Sequence, residues 1–181
     1  MNNRSVKKIN TAKTLYSCLG VIIAAFVAAV LLFSFFFVIA EVNGSSMFPT
    51  LKDGEKLLVS KISSDYQYSD IVVISKPDSE TPLIKRIIAT ENQEVYINFD
   101  TGEVFVDSVL LDEPYIFQPT NLSGDVKFPV TVPDNSVFVL GDNRNDSNDS
   151  RYIDIGMIDV RWIVGKAHLR ILPLNKFGIL N

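Results

Sequence analysis

The apolar positions of the chain fall into two patterns. From Thr14 to Ala40 no side chain is charged, and nearly every residue is apolar or small. At 1.5 Å per residue, a helix over this run is long enough to cross a hydrocarbon core roughly 30 Å thick. We therefore predict a transmembrane helix over residues 14–40.

The rest of the chain, residues 41–181, shows short runs rich in Val, Ile, Leu and Phe, separated by Gly, Pro, Asn and Asp. Such runs are typical of strands joined by tight turns. The predicted strands cover residues 56–60, 70–75, 83–89, 94–98, 103–106, 136–140 and 157–164. No long helical period interrupts them, so we predict a mainly β fold, a compact domain of antiparallel β-sheet arranged as a sandwich or barrel.

Charge gives the two parts an orientation. Residues 1–13 form a basic tail without an acidic residue; its charged side chains are Arg4, Lys7, Lys8 and Lys13. The positive-inside rule then places this tail in the cytoplasm of a single-pass cell-membrane protein and residues 41–181 on the extracytoplasmic face. All 21 acidic residues follow Ala40, so acidic side chains outnumber basic ones in residues 41–181. This negative net charge argues against a nucleic-acid partner.

Two other features of the apolar run affect its interpretation. A cleavable signal peptide is the alternative to a retained anchor, but its apolar core is usually about 7–15 residues and ends at small residues. This run is longer and ends in the bulky segment FFFVI at 35–39, which favours an anchor. The only cysteine, Cys18, lies inside the run, so no disulfide can form within the chain and thiolate catalysis outside the membrane is excluded.

Residues that could carry out hydrolysis are few. His168 is the only histidine, and a zinc site usually needs two or three His or Cys ligands. The acidic segment 142–149 has some features of a calcium loop, but Arg144 occupies a ligand position and the tight-turn Gly and closing Glu are missing. We therefore predict no metal and no cofactor, which leaves serine or carboxylate chemistry.

A lysine can act as a base when burial keeps its amine neutral. Lys85 lies within the apolar run LIKRII at 83–88, where strand alternation puts Leu83 and Ile87 on its own face. The alternative is an edge-strand lysine whose amine reaches water. A serine partner is available in NGSSMFPTL at 43–51, where Gly44 permits close approach to the backbone, although an ordinary turn is the alternative there.

Together these segments resemble the bacterial type I signal peptidase family, in its minimal Gram-positive-like form. The four matching segments are SMFPTL at 46–51, YSDIVV at 68–73, IKRII at 84–88 and GDNRNDSNDSR at 141–151. They stand in the family's order behind one N-terminal anchor. The resemblance implies a serine–lysine endopeptidase with a signal-peptidase-type β fold, so that residues 41–181 form an extracytoplasmic catalytic domain.

The resemblance also implies residue roles. Ser46 is the nucleophile and contributes its N–H to the oxyanion hole, Lys85 is the general base, and Ser147 orients the Lys85 amine. The substrate-binding positions are Met47, Leu83 and Ile84, and the structural ion pairs are formed by Arg86, Asp142, Asp149 and Arg151.

Some positions depart from the family pattern. Several members have a serine as second oxyanion donor at the position of Gly44. Glycine stands there in this chain, as in many Gram-positive members, so the second donor is a backbone group or absent. ATENQ at 89–93 replaces the usual Gly-Leu-Pro-Gly-Asp turn, and the usual Asn-Gly hairpin is missing near Asp107 and Ser108.

The implied substrates are secretory preproteins, cut after small residues in an Ala-x-Ala pattern, and the second partner is membrane lipid. Three alternatives remain open: a non-catalytic relative that assists assembly of surface proteins or pili, a self-cleaving repressor with the same chemistry, and a structural membrane-anchored β domain. The first should have lost the nucleophile or the base, and the second would need a DNA-binding domain.

Overall fold

The computed structural model describes residues 3–62, 65–77, 79 and 81–180, with backbone alone for residues 3–12. The chain divides into two compact units, residues 1–37 and residues 38–181. The first unit is almost entirely one helix, and the second contains the sheets.

Helix α1 spans Asn3–Phe36. Its segment Lys13–Phe36 is long and apolar enough to cross a membrane. The helix was expected to continue to Ala40, but it ends at Phe36 and the following residues form a strand. Apolar residues fit a buried strand as well as a membrane helix, so the sequence pattern alone does not locate this boundary.

Among the residues that the structure describes, twelve strands follow the helix. They are β1 (Phe37–Glu41), β2 (Lys56–Ser60), β3 (Ile71–Ile74), β4 (Leu83–Ala89), β5 (Glu94–Asn98), β6 (Glu103–Val106), β7 (Val109–Leu110), β8 (Val130–Thr131), β9 (Ser136–Leu140), β10 (Ile158–Asp159), β11 (Ile163–Leu172) and β12 (Gly178–Ile179).

Two sheets make up this unit. The larger has the order β1-β2-β11-β3-β4-β9-β10, with β12 added to β11, and the smaller has the order β7-β6-β5-β8. The pairings among β2 to β12 are antiparallel. The predicted fold class, mainly β and antiparallel behind one N-terminal apolar helix, is confirmed.

Strand β4 lies near the middle of the larger sheet and pairs unevenly with its neighbours. β3 pairs along its first half, from Leu83↔Ile74 to Arg86↔Ile71. β9 pairs along its second half, beginning at Arg86↔Leu140, with a bulge after Ile87. Within the described residues, the β9-side edge of positions 83–85 therefore pairs with no strand.

The predicted strand 157–164 is divided in the structure. A 3-10 turn at Val160–Trp162 separates β10 from the long strand β11. Gly165, the residue after the predicted strand 157–164, lies inside β11, where a Cβ atom would overlap the Ser60 carbonyl oxygen of β2. Gly165 therefore allows two strands to approach closely.

Three clusters of buried apolar side chains fill the second unit. The first cluster includes Met47 and Leu51 from the turn at residues 44–51, packed against Leu57, Ile71 and Ile84 from the larger sheet. We call residues 44–51 the Ser46 turn. Its two buried anchors fix it on the same sheet that carries Lys85.

Candidate active site

Ser46 and Lys85 meet where the Ser46 turn packs on strand β4. Their side-chain atoms Oγ and Nζ lie 2.7 Å apart, although the residues are 39 positions apart in sequence. Lys85 is only 3% exposed, while Ser46 is half-buried. A hydroxyl within hydrogen-bonding distance of a sheltered amine is an arrangement suited to nucleophilic attack with proton transfer to the amine.

The protein environment changes the charge preference of the Lys85 amine. Burial lowers the Lys85 pKa to about 8, because removal from water penalises the ammonium form. The carboxylates of Asp149 and Asp142 act in the opposite direction, and the Arg151 guanidinium adds to the lowering. A substantial fraction of the amine is therefore neutral, and able to accept a proton, at mildly alkaline pH.

The buried position of Lys85 follows from the pattern of β4. All residues of the strand after Leu83 are buried, and Lys85 pairs with the fully buried Val72 of β3. Its side chain has no room to extend to solvent as an edge lysine would. The apolar run around Lys85 predicted a buried lysine, and the side chain is buried in the structure.

Next to the Ser46 turn lies a segment that we call the acidic loop, residues 141–151. Asp142 accepts hydrogen bonds from Arg86 Nε at 2.9 Å and Nη2 at 2.8 Å, and both side chains are fully buried. Asp149 forms a second fully buried pair with Arg151, with an Nε–Oδ1 distance of 2.8 Å. The four residues expected to form ion pairs are therefore paired in this way.

A third buried ion pair was not recognised in the sequence. Arg144, which argued against a calcium loop, donates to both carboxylate oxygens of Glu113. Burial lowers the Arg144 pKa, but the hydrogen bonds and charge of Glu113 outweigh it, so the pKa lies above its ordinary value. The Tyr115 ring centroid lies 4.0 Å from the Arg86 guanidinium, and the Tyr115 hydroxyl donates to Glu113 at 2.9 Å.

Ser147 has the predicted location but lacks the predicted contact. Its hydroxyl is buried and makes no hydrogen bond among the described residues, so the expected bond to Lys85 is not formed. The Lys85 amine is directed at Ser46 instead. Ser147 nevertheless lies at the site, because a Cβ atom on Gly141 would overlap both the Ser147 hydroxyl and the Ser46 carbonyl oxygen.

The expected substrate-binding residues separate into two groups. Met47 and Ile84 belong to the first apolar cluster and are almost fully buried. Leu83 packs against a different cluster, with Val72 and Ile74. The side chains of Met47 and Ile84 are thus brought together, while Leu83 shares with Ile84 only the unpaired backbone edge of β4.

The Ser46 turn has two backbone N–H groups that are candidate oxyanion donors, those of Gly44 and Ser46. Gly44, whose φ of 84° favours glycine, donates its N–H to Asp53 Oδ1 at 2.7 Å, so this group is already occupied. The Ser46 N–H has no hydrogen-bond partner in the part of the chain that the structure describes. It is therefore available to a substrate oxygen.

Comparisons with known proteins identify the family of this chain. Residues 15–172 match a family model described as "Signal peptidase, peptidase S26". The chain is 33% identical to a signal peptidase I of Bacillus licheniformis, over 94% of this chain and 95% of the relative. It is 38% identical to a probable signal peptidase I-1 of Synechocystis sp., over 85% of this chain and 82% of the relative.

A solved structure also matches. It is the crystal structure of a signal peptidase I from Enterococcus faecalis, with 26% identity and a TM-score of 0.47. The match covers 57% of this chain and 97% of that chain.

Proposed function

Since the chain belongs to the signal peptidase family, we propose that it is a membrane-anchored serine endopeptidase that removes N-terminal signal peptides from secretory preproteins. The observation that carries this proposal is the 2.7 Å approach between the Ser46 hydroxyl and the buried Lys85 amine. A nucleophile beside a base of lowered pKa is what peptide-bond cleavage at moderate pH requires.

In the acylation step, neutral Lys85 takes the proton of Ser46 Oγ while this oxygen attacks the scissile carbonyl carbon. The carbonyl π-electrons move to oxygen, and the Ser46 N–H stabilises the resulting oxyanion. Loss of one such donor typically costs about 3 kcal/mol of transition-state stabilisation. The C–N bond then breaks, and protonated Lys85 gives its proton to the departing amine, which leaves as the N-terminus of the mature protein.

In the deacylation step, Lys85 is neutral again and takes a proton from a water molecule that attacks the acyl-enzyme ester. Collapse of the second tetrahedral intermediate returns the proton to Ser46 Oγ and releases the signal peptide as a carboxylic acid. Lys85 thus acts as base and then acid in each half of the reaction. We assign Ser147 the role of orienting this amine, because its buried hydroxyl lies at the site and has no hydrogen-bond partner among the described residues.

The unpaired edge of β4 provides a place for the substrate. An extended segment added beside positions 83–85 would bond to the free backbone groups there, as in other cases of β-strand addition. Lys85 ends this edge and contacts Ser46, so a carbonyl at the end of the added segment would lie beside the nucleophile. Met47 and Ile84 would form the floor of shallow apolar pockets.

Shallow pockets of this kind would account for the proposed preference for Ala-x-Ala. Met47 is 1% exposed and Ile84 8%, so little empty space lies behind these side chains. A methyl group fits against such a floor, whereas a larger side chain would overlap it, because a packed core yields little.

The helix α1 serves as the membrane anchor in this proposal. Its basic N-terminal end would lie in the cytoplasm, and residues 38–181 would lie on the opposite face, where exported preproteins emerge. The substrate's own apolar segment would then share the bilayer with α1.

The test is cleavage of a labelled preprotein with an Ala-x-Ala site by the full chain in detergent or lipid vesicles. We expect wild type to cut after the second Ala, and Ser46→Ala and Lys85→Ala to lose activity. Ser123→Ala and Lys127→Ala change an exposed serine and an exposed lysine elsewhere and serve as matched controls. Equal cleavage by Ser46→Ala would contradict the mechanism, and an intact preprotein with wild type would favour the non-catalytic assembly role.

A further inference from the structure

The peptide group between Ser45 and Ser46 is held from one side only. Its carbonyl oxygen, on Ser45, accepts the Phe48 N–H at 2.9 Å and the Asn143 Nδ2 amide at 3.2 Å. Its N–H, on Ser46, is free among the described residues. Because a trans peptide group is planar with C=O and N–H directed oppositely, fixing the carbonyl also fixes the direction of the N–H.

We propose that Asn143 is a positioning residue, which aims the Ser46 N–H at the substrate oxyanion by holding the Ser45 carbonyl. Asn143 does not touch the reacting atoms and acts through the Ser45–Ser46 peptide group. This inference rests on the proposed function, because it assigns a role within the same reaction.

The remaining contacts of Asn143 hold its amide in place. Its backbone N–H donates to the Ser46 carbonyl oxygen at 3.0 Å, so it contacts the peptide groups on both sides of the nucleophile. Its carbonyl oxygen accepts the Asp146 N–H at 2.9 Å, in a tight turn of the acidic loop. A donor attached to such a turn has little freedom to move away from its acceptor.

Asp146 supports the same arrangement from the exposed side. Its Oδ2 atom accepts the Ser45 hydroxyl at 2.5 Å and lies 3.5 Å from Asn143 Nδ2. Ser45 is therefore held at its carbonyl by Asn143 and at its side chain by Asp146. We assign Asp146 a weaker positioning role, since its hydrogen bond is exposed and such bonds contribute little on their own.

Hydrogen bonds to the carbonyl have a second consequence. Two donors on one C=O polarise the peptide group, which strengthens its N–H as a donor. This effect favours the charged oxyanion over the neutral carbonyl of the substrate. Removal of the Asn143 amide should therefore weaken binding of the transition state much more than binding of the substrate.

The experiment measures kcat and KM for preprotein cleavage by the full chain. For Asn143→Ala we expect kcat to fall roughly 10- to 100-fold, part of the effect of losing an oxyanion donor, with KM within about twofold. The pH at which activity rises should not move, since the Ser46–Lys85 contact is untouched. Asn148→Ala is the matched control, because Asn148 lies on the same loop but donates to Asp154 at 3.0 Å.

Asp146 and Ser45 provide a second, independent measurement. We expect Ser45→Ala to lower kcat, Asp146→Ala to lower it at least as much, and the double variant to lose no more than Asp146→Ala, because Asp146 accepts from both Ser45 and Asn143. Asp146→Asn, which keeps an acceptor oxygen, should recover most of the loss. These two side chains are exposed, so folding should survive even if Asn143→Ala is unstable.

Several outcomes would overturn the inference. They are a kcat for Asn143→Ala within twofold of wild type, a shifted pH profile, or an equal loss in Asn148→Ala. If Ser45→Ala alone lost activity, Ser45 would act directly and not through Asp146. Wild type and Ser46→Ala run beside these variants, because no cleavage by wild type, or equal cleavage by both, would refute the proposed function itself.

Discussion

The Lys85 amine lies 2.7 Å from the Ser46 hydroxyl oxygen and has almost no access to solvent. The contact is short and burial disfavours the charged amine, so at mildly alkaline pH the proton of Ser46 has a neutral acceptor within direct reach. Burial lowers the Lys85 pKa to about 8, the carboxylates of Asp149 and Asp142 act against this lowering, and the Arg151 guanidinium adds to it. The activity should therefore depend on the protonation of Lys85.

We expect kcat/KM for preprotein cleavage to rise with pH and level off above about pH 8, because only the neutral amine accepts the Ser46 proton. Below that pKa the activity should fall about tenfold for each pH unit. The measurement is kcat/KM from pH 6 to 10. A flat profile over this range would contradict a lysine base, and Lys85→Arg, which stays charged, should be inactive throughout.

Gly141 offers a steric test of the site. In Gly141→Ala the new methyl would overlap the Ser147 hydroxyl and the Ser46 carbonyl oxygen, so the nucleophile must shift. A displacement of about 1 Å can cost about 100-fold in rate, and we expect kcat to fall at least that far. Gly178→Ala is the control, since its nearest neighbour would be an ordinary contact at 3.9 Å. Near-normal kcat in Gly141→Ala would show that the turn and the acidic loop adapt freely.

Ser69 combines backbone strain with a compensating bond. Its φ is 75°, a region that favours glycine, and its carbonyl and hydroxyl oxygens both accept Arg86 Nη1, at 2.8 and 3.0 Å. Ser69→Ala loses the hydrogen bond of the hydroxyl and keeps the backbone strain. Ser69→Gly loses the same hydrogen bond but relieves the strain. We expect the Gly variant to exceed the Ala variant by about 1 kcal/mol in free energy of unfolding. Denaturant titration measures it, and equal stability of the two variants would refute the strain.

Glu55 should contribute to stability and not to catalysis. It is buried and accepts hydrogen bonds from Arg170 at 2.8 Å and Lys176 at 3.2 Å. Glu55→Gln leaves both cations poorly paired, so we expect a loss of about 2–3 kcal/mol at neutral pH with kcat unchanged. Glu41→Gln is the control, because Glu41 and Lys56 are both exposed and 3.7 Å apart, and it should change stability by less than about 0.5 kcal/mol.

The stability that Glu55 contributes should depend on pH. Burial raises the Glu55 pKa, but hydrogen bonds from the Lys52 backbone, Arg170 and Lys176 outweigh it, so the pKa lies below its ordinary value. The stability from Glu55 is therefore complete above the unfolded-state pKa near 4.3 and is lost as pH falls through the lower folded-state value. The difference in free energy of unfolding between wild type and Glu55→Gln should therefore become smaller in acid. A constant difference from pH 3 to 7 would contradict this assignment.

The sequence predicted those parts of the fold whose signal is local. Short apolar runs bounded by turn residues identified β2, β5, β6 and β9, because alternation and punctuation lie within a few positions. The strand β1 was missed because its apolar residues continue the pattern of the helix before it. β12 and the end of β11 were missed because the pairing partner, and not composition, keeps those residues extended.

In the candidate site, too, the sequence indicated residues with a local signal but not contacts between distant segments. The sequence pattern offered Ser46 and Lys85 as candidates with ordinary alternatives, and the resemblance joined them as a pair. Glu113 was not found, since it lies in a loop without periodicity and meets Arg144 across 31 positions. Nothing in the sequence near Asn143 indicated that its amide would contact Ser45, because that contact depends on how the acidic loop docks on the Ser46 turn.

The uneven pairing of β4 limits how much of a bound chain the sheet can hold. Strand β9 occupies the edge from Arg86 onward, so among the described residues positions 83–85 remain unpaired on that side. At about 3.3 Å per residue, this opening accommodates roughly 10 Å of extended peptide, the length of one Ala-x-Ala tripeptide. In the proposed complex, the distance from the start of the opening to Ser46 would itself select which peptide bond is cut. Sequences far upstream would then matter little, so unrelated leader peptides could be processed at the correct position by one enzyme.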